Sequence, residues 1–156
     1  MQIGVVLQHM DTHPTPDTPP YELLGGEAAV RRLVNRFYDL MDETPELYVI
    51  RKLHSQDLAG SREKLFMFLS GWLGGPQLYV ERHGHPRLRA RHLPFSIGVA
   101  ERDAWIACMK QAMADCEIEE GMREWLLNSL FGTADWMRNR PDEPGGSPAV
   151  DEQRET

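Results

Sequence analysis

Residues 84–95 read GHPRLRARHLPF, and no other segment says as much about the kind of protein this is. Gly84 permits a turn, and Pro86, with φ already fixed, suits a helix entry. Pro94 disfavours helical geometry at Leu93, so a short helix is predicted over 86–92. A lone histidine is usually a surface residue or a hydrogen-bonded core residue. His92, however, has Leu88 four positions earlier, on the same helical face. The Leu88 carbonyl is a natural acceptor for the imidazole Nδ1–H, a bond that fixes the tautomer and leaves Nε2 free as a metal donor. Arg87 and Arg91 form an i, i+4 pair, and Arg91 lies next in angle to His92, close enough to meet acidic groups at the edge of whatever His92 holds. Residues 82–98 carry four arginines and no acid.

The apolar pattern on either side of this segment is helical. After Gly25 and Gly26, the residues Val30, Leu33, Val34, Phe37, Tyr38 and Met41 recur at spacings of three and four, which puts them on one stripe. Asp42, Glu43, Thr44 and Pro45 break that stripe, and a short apolar piece follows at 47–53. Ser61 suits the start of the next helix. Leu65, Phe68, Leu69 and Trp72 mark the buried face of that helix, and Gly74, Gly75 and Pro76 end it. Two longer helices are predicted downstream. One covers about 100–115, with Trp105, Cys108, Met109 and Ala112 inside; the other covers about 119–139, with Met122, Trp125, Leu126, Leu130, Thr133 and Met137 inside. Alternating strand patterns are lacking, so the expected fold class is all-α.

The 156 residues suit one domain with a single core. Residues 1–20 carry four prolines between positions 14 and 20 and little to bury, and are expected to form a flexible extension. Residues 141–156 are polar and rich in breakers, and are expected to be a disordered tail. The folded unit is therefore expected at 21–140. These two ends hold most of the formal charge of −7, leaving the central part close to neutral. That balance argues against a nucleic-acid partner or an acidic membrane surface. No stretch approaches the roughly 18 apolar residues of a membrane span. The apolar run at 3–7 is too short for a signal-peptide core, so a cytoplasmic location is expected. Cys108 and Cys116 are too few for a disulfide framework, and they read as residues on or near one helix rather than a metal pair.

One neutral nitrogen donor, an apolar slot and cations for two propionates are together what haem needs. The other histidines make weaker candidates. His9 and His13 fall in the N-terminal extension, His83 and His85 flank a turn glycine, and no pair has zinc-site spacing. His54 stands out because it follows the apolar piece at 47–53 in a short loop. Tyr38 and Trp105 sit on the buried stripes of two helices. Aromatics at helical spacing are more often packing than function, yet each carries a polar hydrogen that needs a partner when buried. A bound diatomic with partial negative charge would supply that partner.

Several segments together resemble the group II truncated haemoglobins. They are Arg36-Phe37-Tyr38, Asp57-Leu58-Ala59-Gly60, Met67-Phe68-Leu69, Gly74-Gly75-Pro76, the whole of 84–95, and Arg102-Asp103-Ala104-Trp105. The likeness covers roughly residues 20–140. It implies a truncated globin fold, a two-over-two helical sandwich around haem b, with Gly25-Gly26 and Gly74-Gly75 allowing shortened connections. It implies that His92 is the proximal iron ligand, and that Tyr38, Trp105 and the apolar Leu65 line the distal pocket. Lys64, Tyr79 and Arg91 match positions that contact propionates, and Leu88, Phe68 and Phe95 complete the set expected against the cofactor. Two distal positions depart from the common pattern. His54 stands where tyrosine or phenylalanine is usual, and Ser61 where a small residue such as alanine is frequent. His54 has three roles open to it: bonding Tyr38, bonding the ligand, or reaching a ligand-free iron. A hydrogen-bonding role is favoured.

Function at this stage divides into classes. A protein that reversibly binds oxygen or another diatomic at a five-coordinate iron needs only the pocket. A haem enzyme, for nitric oxide dioxygenation or peroxide reduction, also needs a separate reductase, because no flavin or nicotinamide motif is present. A helical adaptor with an incidental histidine is the third class. Either a monomer or a homodimer is compatible with the sequence.

Overall fold

The computed structural model describes residues 18–140, and all regular structure among them is helical. The expectations for residues 1–17 and 141–156 lie outside the described residues. In chain order the elements are α1 (Pro20–Leu24), α2 (Gly26–Glu43), a 3-10 turn (Pro45–Leu47) running into α3 (Tyr48–Arg51), α4 (Ala59–Trp72), α5 (Leu78–His83), α6 (Leu88–His92), α7 (Val99–Asp115) and α8 (Glu120–Trp136).

Helix α2 buries Val30, Leu33, Val34, Phe37, Tyr38, Leu40 and Met41, which includes the whole predicted stripe. It stops where Thr44 turns extended, because Pro45 disfavours helical geometry in the residue before it. Gly25 and Gly26 both take positive φ, +119° and +78°, a region that glycine enters without steric cost. This double turn lays α1 against the corner after α4, where the Tyr21 N–H donates to the Leu73 carbonyl at 2.9 Å. A Cβ on Gly75 would sit 2.5 Å from the Tyr21 ring, so only glycine allows that approach. The two glycine pairs thus work on one contact.

Helix α4 begins at Ala59 rather than Ser61, because the Asp57 carboxylate accepts the Ala59 N–H at 2.9 Å and satisfies an otherwise orphaned donor. Helix α6 begins at Leu88, two residues later than Pro86 suggests. Arg87 adopts φ of 49°, which cannot continue into a right-handed turn from Pro86. Helix α5 leaves no signal in the sequence. Six residues are too few to display a stripe, and only Tyr79 is buried. Helix α8 ends at Trp136 instead of running to 139, and the next residues fold back, with the N–H groups of Asn139 and Arg140 both donating to the Ile97 carbonyl.

Helix α2 packs on α4 and on α7, and α7 packs on α8. Two helix pairs are therefore stacked through the α2–α7 contact, the layering expected of the sandwich. Phe37, Met41, Met109, Met113 and Leu126 are fully buried, each worth about 1.5–3 kcal/mol relative to exposure. Cys108 lies in this core, where its Sγ–H donates to the Phe37 carbonyl, and burial pushes the thiol up to about 12. No described helix is long and apolar enough to cross a membrane.

Candidate functional site

A cavity of about 210 Å³ lies between the helix pairs, with walls from α2, α3 and the loop after it, α4, α6, α7 and α8. The side chains around it are mostly aliphatic or aromatic, with a few polar groups among them, the usual make-up of a cofactor site. His92, Tyr38, His54, Leu65, Phe68, Leu88, Phe95 and Trp105 all line it. Ser61, Lys64, Tyr79 and Arg91 do not. Tyr79 is buried against the His83 ring, 4.8 Å between centroids, while Arg91 donates from Nε to the Pro86 carbonyl at 2.8 Å. Lys64 is exposed, and Lys64, Arg87 and Arg91 form no ion pair with a carboxylate among the described residues.

His92 sits at the last position of α6, so the carbonyl four residues back lies within its reach. Its Nδ1 meets the Leu88 oxygen at 2.7 Å. Since a carbonyl only accepts, Nδ1 carries a proton, and in the neutral ring this leaves the lone pair on Nε2. His54, after α3, repeats the device with the Ile50 carbonyl at 2.9 Å. Burial lowers the pKa of His54, and the backbone bond only partly opposes this. Neutral His54 therefore keeps an acceptor at Nε2, and its ring stands edge-on to that of Tyr38, 5.7 Å between centroids.

Tyr38 and Trp105 are brought together over Phe37, whose ring centroid is 5.0 Å from one and 5.1 Å from the other. Burial pushes the Tyr38 hydroxyl well above its ordinary range, so it stays a donor despite Arg62 nearby. Neither the Tyr38 hydroxyl nor the Trp105 indole N–H has a protein hydrogen-bond partner among the described residues. Both are free to donate to whatever enters the cavity.

Sequence reasoning missed part of the wall. Leu130, Thr133 and Met137 line the cavity, where their helical stripe in the sequence indicates core alone. Glu101 gave no signal at all. It is 7% exposed and accepts from the Gly98 N–H at 2.7 Å and from Arg140 Nη2 at 2.6 Å. Burial resists its ionisation, but these bonds outweigh burial and hold its pKa below the usual carboxylate value. A depressed carboxylate pKa contributes stability that is complete above the unfolded value, near 4.5, and is lost as pH falls through the folded one. Glu101→Gln is therefore expected to lower the thermal midpoint at pH 7, with a gap to the parent that narrows progressively below pH ~4.5.

No three His, Cys, Asp or Glu side chains among the described residues cluster as a metal-ion site. A single imidazole with a fixed tautomer suits a metal that arrives in a macrocycle, and the apolar walls, orphan donors and unpaired cations nearby fit haem. The model of the bacterial-like globin family matches residues 20–139. A group 2 truncated haemoglobin of Bacillus subtilis, YjbI, is 42% identical over 79% of this chain and 90% of its own length. The group II 2-on-2 haemoglobin of Agrobacterium tumefaciens is 43% identical, covers 83% of this chain and all of its own, and superposes with a TM-score of 0.78. A truncated oxygen-avid haemoglobin from Bacillus subtilis gives 45% identity and a TM-score of 0.71, over 78% of this chain and 99% of that one. By family match, identity and fold alike, this chain belongs to the bacterial-like globins and, among them, to the group II truncated haemoglobins.

Proposed function

We propose that this chain holds haem b on His92 and reversibly binds oxygen and related diatomics at a five-coordinate iron. The observation that carries this reading is the meeting, in one cavity, of an imidazole with Nε2 free and two donors without protein partners. Haem would supply, when bound, an iron able to take up a small gas. His92 would hold it, with Leu88 and Phe68 against the ring, and Arg91, Tyr79 and Lys64 would serve the propionates. Ser61, on the first turn of α4, would lie at the distal margin.

Tyr38 and Trp105 would donate to the bound diatomic. Neutral His54, its only proton committed to Ile50, would have none to give the diatomic; its Nε2 would only accept, in competition with the diatomic for the single Tyr38 hydroxyl proton. Donation to the diatomic favours slow release, a property suited to storage, scavenging or chemistry on the ligand. The last of these, as nitric oxide dioxygenation or peroxide reduction, would require a separate reductase.

The test is an absorption spectrum of the purified protein in ferric, ferrous and oxygenated states. The expected result is a Soret band, a ferrous form with one protein ligand, and a stable oxygenated form. A ferrous spectrum with two protein ligands would overturn the five-coordinate reading, and absence of a Soret band after expression with ample haem would overturn the whole.

A further inference from the structure

We infer that Asn139, in the turn after α8, is a positioning residue for the proximal histidine, acting through the backbone carbonyl of His92 itself. This rests on the reading that His92 is the iron ligand. Helix α6 has only five residues and buries none of them, and residues 93–96 are exposed. A helix that short has little stability of its own, and apolar burial does not hold this one. Side-chain hydrogen bonds from the far end of the chain do.

Asn139 commits every polar atom of its side chain to this segment. Its Nδ2 donates to the His92 carbonyl at 3.1 Å and to the Phe95 carbonyl at 2.9 Å, while Oδ1 accepts the Ile97 N–H at 3.0 Å. The Asn139 backbone N–H returns to the Ile97 carbonyl at 2.8 Å. From the other side, Arg89 in α6 donates from Nη1 to the Arg138 carbonyl at 2.9 Å and to that of Trp136. His92 is thus held twice. Leu88 fixes the rotation of its ring, and Asn139 fixes the backbone that carries it.

An amide is the one short side chain that offers two N–H donors and an acceptor in a plane. Aspartate keeps the shape but sets a carboxylate oxygen against two carbonyl oxygens. Neither bond then forms: the Phe95 carbonyl loses its side-chain donor, and the His92 carbonyl keeps only the Phe95 N–H at 3.0 Å.

The experiment uses the full-length, haem-loaded protein and two readouts: the iron–histidine stretching band of the ferrous form by resonance Raman, and the rate of haem transfer to excess apomyoglobin. Asn139→Asp is expected to shift or broaden the band and to speed haem loss about tenfold, the effect of two lost hydrogen bonds. Leu126→Ala, a cavity in the buried face of α8, is expected to lower the melting temperature while leaving the band where it is. Asn139→Ser carries the same test should the aspartate variant not accumulate folded. An unchanged band and haem-loss rate in the Asn139 variants overturn the inference. A parent band that survives His92→Gly overturns instead the reading beneath it.

Discussion

Replacing His92 with glycine is expected to abolish the iron–histidine stretching band of the ferrous protein, and added free imidazole is expected to restore it. The physical case is local. The ring is held by one bond, Nδ1 to Leu88 at 2.7 Å, and glycine removes the ring while leaving that carbonyl in place to anchor an exogenous imidazole in the same tautomer. The apolar neighbours Leu88 and Phe95 would form the walls of the space left behind. A second outcome has its own meaning, because His54 carries the same anchoring to Ile50 and lines the same cavity. A band that survives His92→Gly and disappears in His54→Gln would transfer iron ligation to the distal side. Burial keeps His54 neutral, so its lone pair is available and the comparison is a fair one.

What was legible in the sequence follows the range of the interactions. Helix α2 was readable because its seven buried side chains repeat at helical spacing within a single element. The His92 turn was readable because its hydrogen bond spans only four residues, from His92 to Leu88. Local rules failed where a neighbour in space took over. The start of α4 is the exception: the Asp57 carboxylate that accepts the Ala59 N–H is only two residues away, a local signal that Ser61 masks. The end of α8 was overestimated because the apolar stripe runs on through Met137, while Arg89 and Ile97, both distant in sequence, draw residues 136–140 into a turn. Glu101 was invisible for the same reason. A carboxylate on a helix reads as solvated unless its partner, here Arg140, is known. Tyr38 and Trp105 stand 67 positions apart, and no periodicity relates them; the fold packs both against Phe37, one edge-on and one tilted.

Trp105→Phe is expected to speed oxygen dissociation from the ferrous protein about ten- to a hundredfold, as read by stopped-flow. The indole N–H has no protein partner among the described residues, so it is free to donate to a ligand at no internal cost. A hydrogen bond to a group bearing charge contributes about 1.5–3 kcal/mol, and taken as a barrier to release that converts to the stated range. Phenylalanine retains a ring to pack on Phe37, 5.1 Å from Trp105 in the parent, so the substitution tests the N–H more than the packing. Tyr38→Phe separates two possibilities for the second donor. If the hydroxyl donates to the diatomic, its loss accelerates release comparably. If it donates to the Nε2 of His54, the rate moves little, and His54→Gln behaves as its parent does. A dissociation rate unchanged in Trp105→Phe would remove the tryptophan from ligand retention and leave Tyr38 as the remaining donor. Rates that rise in both single variants and compound in the double would assign the two donors independent bonds to one ligand, since groups acting without mutual contact contribute additively.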